Sequence, residues 1–157
     1  MTRFLPRIAL AIAASLALAA PLAAQDAAAQ AEAYGPQKVV YHLNASGGDD
    51  GSGYKPALNN IQNHINAVGA DNLELSVVMH GDGLGLLQTA NENQQLQGLI
   101  SGLKTEGVKF VVCNNTLVGR DLDAETDLFD VWPEDIVPSG VAELAKLQTE
   151  GFVYIKP

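Results

Sequence analysis

The chain has 157 residues, a single cysteine and a formal net charge of −9 at pH 7. From Gln25 onward, seven basic residues face eighteen acidic ones, which gives a net charge of −11. A surface this acidic repels nucleic-acid phosphates and anionic lipid headgroups, so binding to nucleic acid or to a membrane surface is excluded. One cysteine also excludes an internal disulfide, and stability must therefore come from the hydrophobic core.

Residues 1–24 have the pattern of a secretory signal peptide, with a positive start, an apolar run and a tract of small residues. A membrane anchor is the weaker alternative, because the run is mostly alanine and Pro21 interrupts it. Residues 25–36 begin with an alanine-rich stretch that has no periodic face, and they predict a disordered lead-in. The sequence therefore predicts an exported, periplasmic protein whose folded domain covers residues 37–157.

Four short apolar runs predict buried β-strands, because they are rich in Val, Ile, Phe or Tyr and are bounded by Gly, Pro or polar residues. The runs are Lys38–Leu43, Leu73–Met79, Val108–Val112 and Phe152–Ile155, and a fifth short strand is considered near Ile136–Val137.

Between the strands, apolar residues recur at spacings of three and four, which predicts three amphipathic helices. The three stripes are Leu58, Ile61, Ile65 and Val68; Leu96, Leu99, Ile100 and Leu103; and Val141, Leu144, Ala145 and Leu147. Gly69, Gly107 and Gly151 are predicted to end these helices, and Ser139 to cap the last one. Strands that alternate with helices predict one three-layer α/β/α domain with a mostly parallel, four- to five-stranded sheet.

Ligands of parallel sheets bind beyond the carboxyl ends of the strands. Asn44, His80 and Cys113 each follow or end a predicted strand, so we expect all three at the same edge of the sheet. A lone cysteine at a strand exit favours a reactive thiol, open at the rim, over a buried cysteine that acts as a small hydrophobe.

Three residues that favour helix starts follow Cys113, namely Asn114, Asn115 and Thr116. A helix that begins there would direct backbone N–H groups at the sulfur and lower the pKa of the thiol. Arg120 is close enough in sequence to add to this effect, and His80 is a candidate proton acceptor.

His80 also opens a glycine-rich segment, His80–Gly85, whose backbone at Gly81 is expected either to approach a ligand or to form a tight turn. His42 is predicted to be a hydrogen-bonded core histidine, and His64 to have a structural or interface role. No phosphate-loop, dinucleotide or calcium motif has its required spacing, so no cofactor and no dedicated metal site is predicted.

Apolar residues also crowd into the acidic segment Leu128–Trp132. They would either cover the sheet or form a contact between subunits, and the enrichment of aromatic residues at interfaces favours the contact.

The order of these motifs resembles the DsrE/DsrF-like sulfur-relay family, and in particular its exported branch. The resemblance is carried by Val111-Val112-Cys113 through Gly119-Arg120, by Val39–Leu43 with Asn60–His64, by His80-Gly81, and by Val137–Leu144. It covers the chain from about Gln37 to Pro157. It implies a three-layer α/β/α fold, assembly into trimers or hexamers, and sulfur carried as a persulfide on the cysteine that matches Cys113.

The chain departs from cytosolic members in its export signal, its glycine-rich insert Gly47–Gly53 and the two asparagines after Cys113. The leading hypothesis is thus a periplasmic carrier that takes sulfane sulfur from a small donor or a partner protein. The alternatives are a copper or zinc protein that uses Cys113 and His80, and a non-catalytic oligomeric binding module with an inert cysteine.

Overall fold

A computed structural model of the chain describes residues 33–157. The predicted signal peptide and most of the predicted lead-in lie outside these residues. The strands are β1 (Gln37–Leu43), β2 (Leu73–Met79), β3 (Lys109–Cys113), β4 (Ile136–Val137) and β5 (Val153–Ile155). The α-helices are α1 (Lys55–Val68), α2 (Gly85–Ala90), α3 (Gln94–Thr105), α4 (Asn114–Arg120), α5 (Ala124–Asp127) and α6 (Gly140–Thr149).

The five strands form one parallel sheet in the order β4-β3-β2-β1-β5, which confirms the predicted fold class. The chain builds β1, β2 and β3 in one direction and then crosses from β4 back to β5 at the opposite edge. Since crossover connections between parallel strands are right-handed, this reversal puts α6 on the other face of the sheet from α1 and α3. The main core lies beneath α1 and α3, and a smaller apolar cluster lies beneath α6.

The predicted stripes on α1 and α3 lie on the buried faces of these helices, but the stripe on α6 is only half correct, because Val141 and Ala145 are exposed. Leu58, Ile61 and Ile65 of α1 belong to the main core, whereas Leu144 and Leu147 of α6 belong to the smaller cluster. The three predicted terminating glycines have positive φ angles, 85° at Gly69, 90° at Gly107 and 91° at Gly151. Glycine adopts this conformation without the steric penalty that a Cβ brings, which is why it ends helices so often.

The last strand differs from its prediction, because β5 is not buried. Val153 is 61% exposed and Tyr154 is 40% exposed. β5 pairs only with β1 and forms the edge of the sheet, so one side of it meets solvent. The short helices α2 and α5 were not predicted either. α2 forms although it starts at a glycine, because Leu86, Leu87 and Ala90 are buried in the core.

The strand register determines which side chains meet at the carboxyl edge. Leu43 is paired with Met79, and Met79 with Val112. His80 and Cys113 therefore follow paired residues, and His42 lies two positions before the residue opposite His80. Side chains two residues apart point to the same face of a sheet, so all three lie on the face that α6 covers. In the described part of the chain, every helix is too short or too polar to span a lipid bilayer.

Candidate functional site

Cys113 ends β3 and is at the same time the N-cap residue of α4. The predicted strand-end position is therefore correct, but the predicted openness is not, because the residue is only 5% exposed. The first residue of α6, Gly140, lies against the Cβ atom of Cys113 and covers it. The thiol is thus buried beneath the start of α6, at the edge where the strands end.

The surroundings of Cys113 act on the pKa of its thiol in both directions. Burial is the largest influence on the pKa of the thiol and raises it, since a thiolate loses its hydration. Hydrogen bonds from the backbone of Gly140, from the hydroxyl and backbone of Thr116 and from the backbone of Asn115 act in the opposite direction. Together they outweigh burial, and the pKa of Cys113 lies below its ordinary value.

Two helix starts supply these donors. Asn115 and Thr116 belong to the first turn of α4, and Gly140 is the first residue of α6. The backbone N–H groups of a first turn have no partner within their own helix, and they carry positive partial charge. An anionic sulfur between two such ends is stabilised by their positive partial charge.

Gly140 also fixes the spacing of the site. A Cβ on Gly140 would lie 3.2 Å from the Cβ of Cys113, 3.2 Å from the Cβ of His80 and 3.5 Å from the carbonyl oxygen of Met79. Cys113 and His80 therefore approach the same point from adjacent strands. No sequence pattern indicates this role for Gly140, which looks only like the residue after a helix cap.

We expect Gly140→Ala to lower the free energy of unfolding by about 1–2 kcal/mol, because the neighbours of the new methyl group are fixed by the backbone of the sheet. We also expect it to raise the pKa of Cys113, since the Gly140 N–H must move away from the sulfur. Urea unfolding and the pH dependence of iodoacetamide alkylation measure the two effects. A variant with the stability and alkylation profile of the wild type would contradict this account of the site.

His80 is hydrogen-bonded to His42, and His42 is in turn hydrogen-bonded to Tyr154. Nε2 of His80 lies 2.7 Å from Nε2 of His42, and Nδ1 of His42 lies 2.6 Å from the hydroxyl of Tyr154. The centroids of the two imidazole rings are 4.7 Å apart and the ring planes differ by 29°. His42 is thus hydrogen-bonded as predicted, but it lies in the candidate site, as does Tyr154. The sequence could have indicated His42, because its offset from the end of β1 puts it on the same face as His80.

Burial lowers the pKa of both histidines, because a charged imidazolium loses hydration there. Lys156 lowers both values further through its positive charge, and His80 does the same to His42. The pair is therefore held in its neutral form near neutral pH. A neutral imidazole is the form that can accept a proton.

We expect the protein to lose stability on acidification below about pH 6.5, the ordinary pKa of histidine. The pKa values of His42, His64 and His80 are all lowered by burial, so the unfolded chain takes up protons at a higher pH than the folded chain does. The stability that the neutral forms contribute is present above the unfolded pKa and is lost as pH falls through the folded values. Melting temperatures at about pH 7.5 and about pH 5.5 test this. His64→Gln should reduce the difference, and an equal or higher melting temperature in acid would contradict the prediction.

Arg120 does not act on the thiol as predicted. Its guanidinium forms an ion pair with Asp82, and it is not among the groups that shift the pKa of Cys113. The carbonyl oxygen of Asp82 accepts a hydrogen bond of 2.6 Å from the hydroxyl of Tyr54. Arg120 thus ties the end of α4 to the glycine-rich segment and has a structural role.

The glycine-rich segment packs against protein in this structure. Gly81 has a φ angle of 54°, and its N–H donates a 3.0 Å hydrogen bond to the hydroxyl of Thr116. A Cβ on Gly83 would overlap the last carbonyl group of β1, and one on Gly85 would lie 2.6 Å from the hydroxyl of Tyr54. Close packing thus explains Gly83 and Gly85, and the positive φ angle explains Gly81, which favours the tight-turn alternative.

The predicted asparagines lie around the site, and they differ in their exposure. Asn44 is half-buried and lines a cavity of about 80 Å³ together with His42 and Lys156. Asn114 and Asn115 are exposed at the start of α4. The backbone N–H of Asn115 donates a 3.3 Å hydrogen bond to the carbonyl oxygen of Pro138, and it also lowers the pKa of Cys113. Of the predicted binding residues, Thr116 makes the most contacts in the site, because it contacts both Cys113 and Gly81.

No three His, Cys, Asp or Glu side chains within residues 33–157 lie close enough together to hold a metal ion. In the segment Leu128–Trp132, Leu128 is buried in the core, as the covering alternative requires. Trp132 is 59% exposed and lines a groove of about 530 Å³, which leaves it accessible for the contact alternative.

The fold and the site define a three-layer α/β protein with one hydrogen-bonded thiol at the carboxyl edge of its sheet. The model of the DsrE/DsrF-like family matches residues 16–157, and the chain belongs to this family. It is similar to a solved structure described as a protein of unknown function, MTH1491 from Methanobacterium thermoautotrophicum. That match has 30% sequence identity and a TM-score of 0.61, and it covers 77% of this chain and 99% of the other. A comparison with curated proteins gave no match.

Proposed function

We propose that the chain is a periplasmic sulfur carrier of the exported branch of its family, and that it holds sulfane sulfur as a persulfide on Cys113. The observation that carries the proposal is the position of Cys113 at the end of β3, between the starts of α4 and α6, where a Cβ on Gly140 would lie 3.2 Å from the Cβ of Cys113. Nearby donors on Gly140, Thr116 and Asn115 lower the pKa of this thiol in spite of its burial. A cysteine that only fills space in the core has no need of such donors.

In the proposed reaction, the Cys113 thiolate attacks the outer sulfur of a donor such as thiosulfate. The S–S bond of the donor breaks, sulfite leaves with the electron pair, and a new S–S bond forms on Cys113. The product is a persulfide anion, which the same hydrogen-bond donors stabilise. No external oxidant is needed, because the donor supplies sulfur that is already at the sulfane level.

The burial of Cys113 favours a small donor over a donor protein. With 5% of the residue exposed, beneath the start of α6, Cys113 offers little surface to a partner. A polysulfide or thiosulfate ion fits this limited exposure better than a cysteine held on a second folded protein. The proposal includes assembly of the carrier into a homo-oligomer, which sedimentation of the wild-type chain tests.

Intact-mass measurement after incubation with polysulfide or thiosulfate tests the carrier function. We expect the wild-type chain to gain one or more sulfur atoms and Cys113→Ser to gain none. Because Cys113 is the single cysteine of the sequence, no other thiol confuses the result. No gain on wild type, or an equal gain on Cys113→Ser, would remove the proposal. Labelling of the thiol that becomes fast only on unfolding would support the inert binding module instead.

A further inference from the structure

Four side chains that can exchange protons lie on four neighbouring strands of the sheet. They are Tyr154 on β5, His42 on β1, His80 directly after β2, and Cys113 at the end of β3. His42 is within hydrogen-bond distance of both of its neighbours, at 2.6 Å from Tyr154 and 2.7 Å from His80. His80 and Cys113 both lie against Gly140, because a Cβ placed on Gly140 would be 3.2 Å from the Cβ of each. These four side chains form a row that runs from the buried thiol to the exposed edge of the sheet.

We propose that His42 and Tyr154 form, together with His80, a proton path from Cys113 to solvent, in which His42 is a positioning residue that fixes the tautomer of His80. This proposal rests on the proposed function, because a buried thiol must lose its proton before it can accept sulfur. The direct route to water is restricted, since Cys113 is 5% exposed, whereas Tyr154 is 40% exposed.

The two distances in the row fit either direction of donation, and one assignment of the histidine tautomers lets a proton cross it. With Nδ1 of His80 free to accept, His80 donates its Nε2–H to Nε2 of His42, and His42 donates its Nδ1–H to the oxygen of Tyr154. When His80 takes the thiol proton at Nδ1, its Nε2 proton moves to His42. The Nδ1 proton of His42 then moves to Tyr154, and Tyr154 releases its own hydroxyl proton to water. One proton enters and one leaves, both imidazoles are neutral before and after, and no electrons change hands.

The electrostatics of the row suit this path. Lys156 follows β5 and acts on both histidines, and each histidine disfavours charge on the other when one of them is protonated. A proton that arrives at His80 therefore does not remain on the pair. The thiolate that stays behind is held by its own donors, Gly140, Thr116 and Asn115.

The test compares the rate of sulfur uptake from polysulfide near pH 7 in His42→Gln, in Tyr154→Phe and in the wild type. Glutamine keeps a hydrogen bond but cannot pass a proton, so we expect uptake by His42→Gln to be about tenfold slower. Free imidazole in the buffer should restore most of the rate, which a purely structural defect would not allow. Tyr154→Phe should slow uptake by a smaller factor, about threefold.

The chain offers a matched control on the opposite face of the sheet, where the hydroxyl of Tyr41 lies 3.1 Å from Nδ1 of His64. His64→Gln and Tyr41→Phe remove a similar pair that lies outside the row, and we expect their uptake to stay within about twofold of wild type. The proton path is wrong if His42→Gln is no slower than His64→Gln, or if its loss is not restored by imidazole.

Failure of the carrier function gives a different result, namely no sulfur on the wild type itself. In that case iodoacetamide alkylation of Cys113 across pH tests the path without any sulfur donor. We expect His42→Gln to shift the alkylation profile and His64→Gln to leave it unchanged. Coinciding profiles for these two variants would overturn the proton path.

Discussion

Gly83→Ala is expected to lower the free energy of unfolding by about 3 kcal/mol or more, or to prevent folding. A Cβ at this position would lie 2.5 Å from the carbonyl carbon of Leu43 and closer still to its oxygen. These are backbone atoms at the end of a central strand, so neither side can move without separating β1 from the turn after β2. Urea unfolding monitored by circular dichroism measures the effect.

Two other glycines provide the control for this experiment. Gly98 and Gly102 lie inside α3, and a Cβ on either would meet no atom within 4 Å. Alanine at these positions should stabilise the protein by about 0.5–1 kcal/mol, because it favours the helix without any clash. If Gly83→Ala were as stable as these variants, the close approach to Leu43 would be wrong.

Thr116→Val is expected to raise the pKa of Cys113 and to slow alkylation of the thiol at pH 7 by roughly tenfold. Valine has the shape of threonine but cannot donate to the sulfur, and a hydrogen bond to a charged group contributes about 1.5–3 kcal/mol. The variant also removes the acceptor of the Gly81 N–H, which should reduce stability by about 1 kcal/mol. The pH dependence of iodoacetamide alkylation gives the pKa directly.

Thr105→Val is a suitable control for Thr116→Val. The Thr105 hydroxyl donates to the carbonyl oxygen of Ser101 in α3, and it is exposed. This variant should leave the alkylation profile of Cys113 unchanged. A Thr116→Val profile that coincides with that of Thr105→Val would show that the Thr116 hydroxyl does not stabilise the thiolate.

The sequence predicted the elements of the fold well, because apolar periodicity reports which face of each element is buried. The stripe on α1 and the glycine that ends it are examples, since both depend only on local spacing and backbone conformation. The exposure of β5 could not be predicted in the same way. Whether an apolar strand is central or at an edge depends on the lateral order of the strands, which local patterns do not contain.

Some residues of the candidate site could likewise be predicted from local patterns, and others could not. Cys113, His80 and Thr116 were found because they follow strands, and strand ends meet at one edge of a parallel sheet. His42 and Tyr154 were missed because their contact with the site depends on register between strands that are distant in sequence. The predicted effect of Arg120 on the thiol was wrong, because closeness in sequence to Cys113 does not reveal the ion pair that Arg120 forms with Asp82, 38 residues earlier in the chain.

The cover that α6 places over Cys113 also bears on oxidation. A disulfide requires the two Cα atoms to come within about 4.4–6.8 Å of each other. Two folded copies cannot meet this condition while each sulfur lies beneath its own helix start, so a disulfide between two copies of the protein is sterically blocked. Oxidising surroundings, which join exposed lone cysteines into covalent pairs, would therefore leave this thiol free.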